Sequence, residues 1–423
     1  MPTFPRMLRV RQNFPRPAPL NLRATVAAEF VKLRSRFQPG ARIAVGVGSR
    51  GITHLPQIVL AVIEQLQQAG TQPFIIPAMG SHGGATPDGQ RGVLASYGIT
   101  EESMGVPIRC SLEVRQVGVS PEGAPAYCSV EALEADGIFL INRIKPHTDF
   151  YSLSLGSGLL KMAVVGLGKR TGASAMHDAA SRIGHERSIR GIARVLINST
   201  PLLGGLAILE NQFHETARVV AIARETLESE EGALLVEARA LMPLLPFDEI
   251  DLLIVDRIGK NISGAGMDPN VIHRSVNGYS SSLLREDRPA PFIRRIFVRD
   301  LTEETHGNAI GIGLADVTTT RLVRATDARI TSINALTSLT PQTAKVPIHF
   351  ETDREAIEQT LLSLALPPGI APRIVRIADT LSLSEIEISE ALWPEIAARP
   401  SLAPLGEPHA LALDAQGNLA SPL

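Results

Sequence analysis

The chain has 423 residues, room for two domains at roughly 100–200 residues each. With 44% hydrophobic, 20% charged and only 4% aromatic residues, it reads as an ordinary globular protein whose core is built from Leu, Ile, Val and Ala. The net charge of −2 is spread along the chain, so no basic stripe or acidic tail points to nucleic acid or a membrane surface.

Residues 1–23 form a basic lead-in interrupted by prolines. It lacks the apolar run of a secretory signal. Nowhere does the chain reach the roughly 18–20 consecutive apolar residues of a membrane span. The expectation is a soluble cytoplasmic protein. The run Arg42 to Gly48 suits a buried strand, and the apolar residues at 55, 59, 62, 63 and 66 predict a helix over 55–69. Pro73 to Ala78 is the next strand and Ser81-His82-Gly83-Gly84 the loop after it, which completes a βαβ unit. Cys110 and Cys128 are the two cysteines of the chain. They argue against a disulfide framework and exclude a cysteine-rich metal site; they read as buried reduced thiols, with pairing to each other as the alternative. Gly137 to Asn142 is a strand that runs into the turn Arg143-Ile144-Lys145-Pro146-His147. A glycine-punctuated stretch follows through Gly156, Gly158 and Lys161 to Lys169, then a helix over 188–198 and a strand over 205–210.

Residues 235–245 read as a proline-bounded connector. Asp251 to Asp256 opens a second α/β region with a glycine-rich loop from Ile258 to Asp268, strands at 292–298 and 309–314, and a helix near 354–364. The fold class expected is α/β: two α/β domains with mostly parallel Rossmann-like sheets and an active-site cleft between them. The boundaries expected are 1–245 and 246–399, with the tail 400–423 packing back on the first domain.

In open parallel sheets ligands collect at the carboxyl ends of strands. His82 and His147 both fall just past such ends. The turn Gly46-Val47-Gly48-Ser49-Arg50-Gly51 matches G-x-G-x-x-G, yet the second strand ends Ile75-Ile76-Pro77-Ala78-Met79 with no acidic residue for a ribose. It is read as a tight turn in which Arg50 contacts an anion, with NAD binding as the alternative. Gly166-Leu167-Gly168-Lys169 lacks the spacing of a phosphate loop. His82, His147 and His177 sit among small residues that allow close backbone approach to a ligand. Imidazoles suit proton transfer at neutral pH or metal ligation. Lys161, in an apolar run, is either a desolvated lysine that bonds to a carbonyl-type group or an exposed lysine on a helix. In the C-terminal half, Arg257, Lys260 and Asn261 of the glycine-rich loop, and His306 beyond it, are the polar residues singled out, against a reading of that loop as a structural turn.

At these residues the chain resembles the nickel-dependent lactate racemase family of hydroxyacid racemases and epimerases. The similar segments are Pro77 to Gln90, Ile144-Lys145-Pro146-His147, and Gly156 through Lys161 to His177, within a likeness spanning roughly residues 40–215. The stretch between His147 and Lys161 is a few residues longer than in the lactate enzyme, and Gly158-Leu159-Leu160-Lys161 stands where the family has Gly-Gly-Arg-Lys. The resemblance implies a nickel-pincer nucleotide tethered to Lys161, with Arg50, Gly156 and Gly158 in the cofactor site and His177 as nickel ligand. It implies His82 and His147 as two acid/base groups, and substrate contacts from Arg50, Lys260 and Asn261. The substrate would be a small 2-hydroxy acid, and cofactor-biosynthesis proteins would be partners. Two other readings stand beside it: an NAD-type oxidoreductase, and a non-catalytic protein that binds a nucleotide or hydroxy acid.

Overall fold

The computed structural model describes residues 4–49, 51–148, 150–276, 291–420 and 423. They divide into two compact units. One comprises Arg16–His147 and Tyr151–Met242. The other comprises the described residues through Pro15, Thr148–Phe150 and Pro243–Leu423.

The first unit is built on a five-stranded sheet. In spatial order its strands are Gln72–Pro77, Arg42–Val47, Gly137–Arg143, Leu202–Glu210 and Thr216–Ala223. The first four run parallel and the last is antiparallel. These strands are near-continuous apolar runs because both faces are covered, as parallel sheets require. Alternate residues Ile43, Val45 and Val47 enter one core with Ile58, Val62 and Leu66 of the helix Leu55–Gln68. That helix starts cleanly because Pro56 stands in its first turn, where no N–H is needed. The topology sets the strands ending at Pro77 and Arg143 on either side of the strand ending at Val47. The loops carrying His82, His147 and Gly48 therefore leave from neighbouring strands at the same end of the sheet.

The second unit holds an eight-stranded sheet, with spatial order Ile348–Phe350, Val317–Thr319, Phe292–Leu301, Glu249–Ile258, Ile374–Ile377, Glu385–Ser389, Arg6–Gln12 and Leu402–Ala410. The first five strands are parallel and the remaining pairings antiparallel. Leu253 and Val255 enter the core on one face, Leu252 and Ile254 the core on the other. Both units are thus α/β with mostly parallel sheets.

Several elements differ from the sequence reading. The lead-in contains the strand Arg6–Gln12, which pairs with Glu385–Ser389 and with Leu402–Ala410 in the second unit's sheet. The tail strand Leu402–Ala410 pairs with this first strand of the chain. Residues 309–314 are not a strand. Gly311 there takes φ +95° and leads into the short turn Ile312–Leu314, and the strand comes later at Val317–Thr319. The connector at 235–245 is in large part the helix Leu227–Ala240, whose Leu234, Leu235 and Ala238 are buried. Both cysteines are free thiols; burial pushes the Cys128 thiol up to about 12, while Cys110 is only half-buried. Among the described residues no helix is long and apolar enough to cross a membrane.

Candidate functional site

The strand Gly137–Arg143 delivers the turn that carries His147. Lys145 bridges to Ser157 through paired backbone hydrogen bonds of 2.9 and 2.7 Å, which folds the following segment back along the turn. Asn142 strengthens this return by donating from Nδ2 to the carbonyl of Gly158 at 2.8 Å. The chain then enters the short helix Leu159–Lys161. Its outcome is a direct contact between Nζ of Lys161 and Nε2 of His147. His147 is buried and Lys161 half-buried.

The turn before Lys161 rests on a residue from far along the chain. Glu231, from the helix Leu227–Ala240, accepts from the backbone N–H of Leu159 at 2.7 Å and of Leu160 at 3.0 Å. A Cβ on Gly158 would lie 2.4 Å from the Glu231 carboxylate, so glycine is required there by close approach. The Glu231 side chain is fully buried, and burial pushes its carboxyl up to about 7. Its Oε1 has no hydrogen-bond partner.

His82 lies on the loop after Gln72–Pro77 and is exposed. Its Nδ1 lies 2.8 Å from the carbonyl oxygen of Met79. A carbonyl only accepts, so Nδ1 carries the proton and Nε2 is the ring's acceptor. Gln90 holds the same loop by donating to the carbonyl of Gly80 at 2.9 Å and of His82 at 3.4 Å.

Past Lys161 the chain continues through a wide-turned helical stretch, Met162–Leu167, into the helix Lys169–Ile183. His177 stands on that helix, packed edge-to-face on His185 with ring centroids 6.3 Å apart. Lys169 is 1% exposed and donates to the carbonyl of Pro77 and to Oε1 of Gln90. Burial pulls its amine down to about 8.

The structure thus brings Lys161 and His147 together and ties His82 into its own loop by a set of backbone carbonyls. Arg50 lies outside the described residues. Gly48 has a packing reason: a Cβ there would lie 2.9 Å from the Met162 methyl. Gly156 has one too, since its Cβ would meet the Lys145 carbonyl oxygen at 2.4 Å. Lys260 and Asn261 belong to the other unit, in the turn after Glu249–Ile258. The Lys260 N–H donates to Thr305 Oγ1 at 3.1 Å, and Asn261 Oδ1 accepts from the Thr302 hydroxyl at 2.6 Å, so both shape that turn. Arg257 is exposed on the strand, and His306 caps the turn Glu303–Thr305 in left-handed backbone. Sequence reasoning missed Glu231, Gln90, Lys169 and His185. Among the described residues no three His, Cys, Asp or Glu side chains group to hold a metal ion by themselves. A cavity of about 570 Å³, lined by Pro17, Leu20, His54, Gln57 and Glu215 among others, contains none of the expected site residues.

The lactate racemase apoprotein from Thermoanaerobacterium thermosaccharolyticum superposes with a TM-score of 0.51 at 13% identity, covering 89% of this chain and 99% of that one. The chain has the lactate racemase fold. A crystal structure of a protein from Thermotoga maritima superposes with a TM-score of 0.50 at 13% identity, over 78% of this chain and 84% of that one. No family model and no curated protein matches the sequence.

Proposed function

We propose that the protein is a racemase or epimerase of a small 2-hydroxy acid that works with a nickel-pincer nucleotide tethered to Lys161. The observation that carries this reading is the contact between Lys161 and His147, past the end of a strand separated in the sheet by one strand, Arg42–Val47, from the strand that leads to His82. The lactate racemase fold supports it.

The residues fit that group. A tether requires a lysine amine that can shed its proton, and the Lys161 amine has an imidazole nitrogen in contact to take it. The glycine turn ahead of it, closed by Glu231, sets the amine on a fixed base. The donor set fits too. The group brings its own sulfur and carbon donors and asks one imidazole of the chain, a ligand type that suits nickel. His177 is the residue proposed for that ligand, and Arg50, Gly156 and Gly158 for the walls of the cofactor site. When bound, the group supplies an acceptor and donor of hydride.

The chain's own residues handle the protons. The α-hydrogen of a 2-hydroxy acid resists removal as a proton, because the adjacent carboxylate opposes a carbanion; removal as hydride avoids that. The hydroxyl must lose its proton at the same time, leaving a 2-keto acid. His82, with Nδ1–H held on Met79, presents Nε2 as the base for one enantiomer. His147 serves the other enantiomer once the Lys161 amine is engaged in the tether. Two bases are needed because the hydroxyl points to opposite sides in the two enantiomers. Lys260 and Asn261 are proposed as substrate contacts. Cofactor-biosynthesis proteins would be the partners that load Lys161.

The test is chiral chromatography of single enantiomers of small 2-hydroxy acids incubated with protein co-produced with the cofactor pathway. Conversion toward the racemate, lowered about 100-fold or more by His82→Asn and by His147→Asn, supports the reading. A loaded protein that converts none of them and instead reduces added NAD overturns it.

A further inference from the structure

The reaction as described leaves Lys169 without a role, yet this residue carries two costs. Its amine is 1% exposed, and both its hydrogen-bond partners, Pro77 O and Gln90 Oε1, are neutral oxygens. Burying a cation on such terms is expensive, and burial pulls its amine down to about 8. Its backbone is left-handed, at φ +51°, a conformation unfavourable for a non-glycine residue. A methionine would fill the same space without the desolvation. What the lysine adds is a donor aimed at the His82 loop.

The connections form one chain of contacts. Lys169 holds the last carbonyl of the strand Gln72–Pro77 and the side-chain oxygen of Gln90. Gln90, itself fully buried, turns its amide N–H groups to the carbonyls of Gly80 and His82, at 2.9 and 3.4 Å. The ring of His82 then donates to Met79. Pro77, Gly80 and His82 are therefore gripped directly, and the carbonyl that fixes the His82 tautomer lies between two of these points. The same loop also presses on the helical stretch after Lys161. Gly80, at φ +59°, comes so close that a Cβ would lie 3.1 Å from Cγ1 of Val165. Lys169 heads the helix that follows that stretch.

We infer that Lys169 and Gln90 are positioning residues for His82: they brace its loop against the helical run that begins at Lys161, and so hold the Nε2-acceptor tautomer at a set reach from the tether. This rests on the reading of His82 as an acid/base group.

The test uses the full-length apoprotein labelled with 15N-histidine, with His82→Asn to assign the ring signals. The wild-type His82 signals should report the Nδ1–H tautomer. In Lys169→Met and in Gln90→Met, the ratio of that tautomer to the other should fall about fivefold, the worth of one net hydrogen bond, while the His177 signals stay in place. Should Lys169→Met not fold, Gln90→Met carries the test, since it cuts the link to the loop and leaves Lys169 on Pro77. A wild-type tautomer ratio in Gln90→Met overturns the inference. Racemisation assays of His82→Asn separate this from the functional reading: full activity there removes His82 from the chemistry whatever the tautomer does, and an unchanged tautomer in Gln90→Met removes the brace whatever the activity does.

Discussion

Nε2 of His147 touches Nζ of Lys161, although a loop of more than a dozen residues separates them. The loop is closed by the Lys145–Ser157 backbone pair and by Asn142 on Gly158. An imidazole nitrogen in contact with an amine can take the amine's proton as the amine attacks an acyl carbon.

The Lys161 amine should therefore be a faster nucleophile than the exposed lysine Lys32. Acylation of the apoprotein by a small activated ester, followed by peptide mapping, reads this directly. In His147→Ala the Lys161 rate at neutral pH should drop about 100-fold, the low end of what a positioned general base contributes. Equal rates in the two proteins would mean that the contact does not activate the amine.

Glu231 makes stability depend on pH in a defined window. Burial raises its carboxyl from 4.5 to about 7. A carboxyl raised in the folded state favours folding below its unfolded value, and that contribution is lost as pH climbs through the folded value. Relative to Glu231→Gln, the wild type should lose about 3 kcal/mol between pH 4.5 and a little above 7. Urea unfolding of both proteins across that range is the measurement. A constant difference between them would contradict the shift.

Asp256 sits at the centre of a buried ion-pair network in the second unit. Its side chain is 0% exposed and meets Arg299 at 2.8 Å and Arg376 at 2.9 Å. Asp353, also 0% exposed, takes the other side of Arg299. Removing one partner strands buried charge, so Asp256→Ala should lower the stability of this unit by about 3–5 kcal/mol. A loss under about 1 kcal/mol in denaturant unfolding would show that the cations find other partners or water.

The parts of the fold legible in the sequence are those whose signal is local. The strand Arg42–Val47 and the helix Leu55–Gln68 announce themselves because a buried parallel strand is a continuous apolar run and its covering helix repeats at 3.6 residues. The strand Arg6–Gln12 was hidden for a physical reason: the adjacent Met7 and Leu8 break its alternation, prolines flank it, and its partners lie near the far end of the chain. Residues 309–314 mimic a strand by apolar content, while Gly311 at φ +95° makes them a turn. His82, His147, Lys161 and His177 could be picked out by residue type and small neighbours. Glu231 could not, because in an acidic segment it looks like surface, and only the tertiary fold seats it under Gly158. Lys169 was masked by its likeness to a phosphate loop; its burial against Pro77 is a long-range contact.

Lys161 is the residue proposed to carry the cofactor. The intact mass of the full-length protein, co-produced with the nickel-pincer pathway and then peptide-mapped, tests it most directly. The expected result is a covalent adduct on Lys161 with nickel equimolar to it, and loss of the nickel but not of the fold in His177→Ala. An unmodified Lys161, under conditions that load a lactate racemase produced alongside it, would rule out the tether.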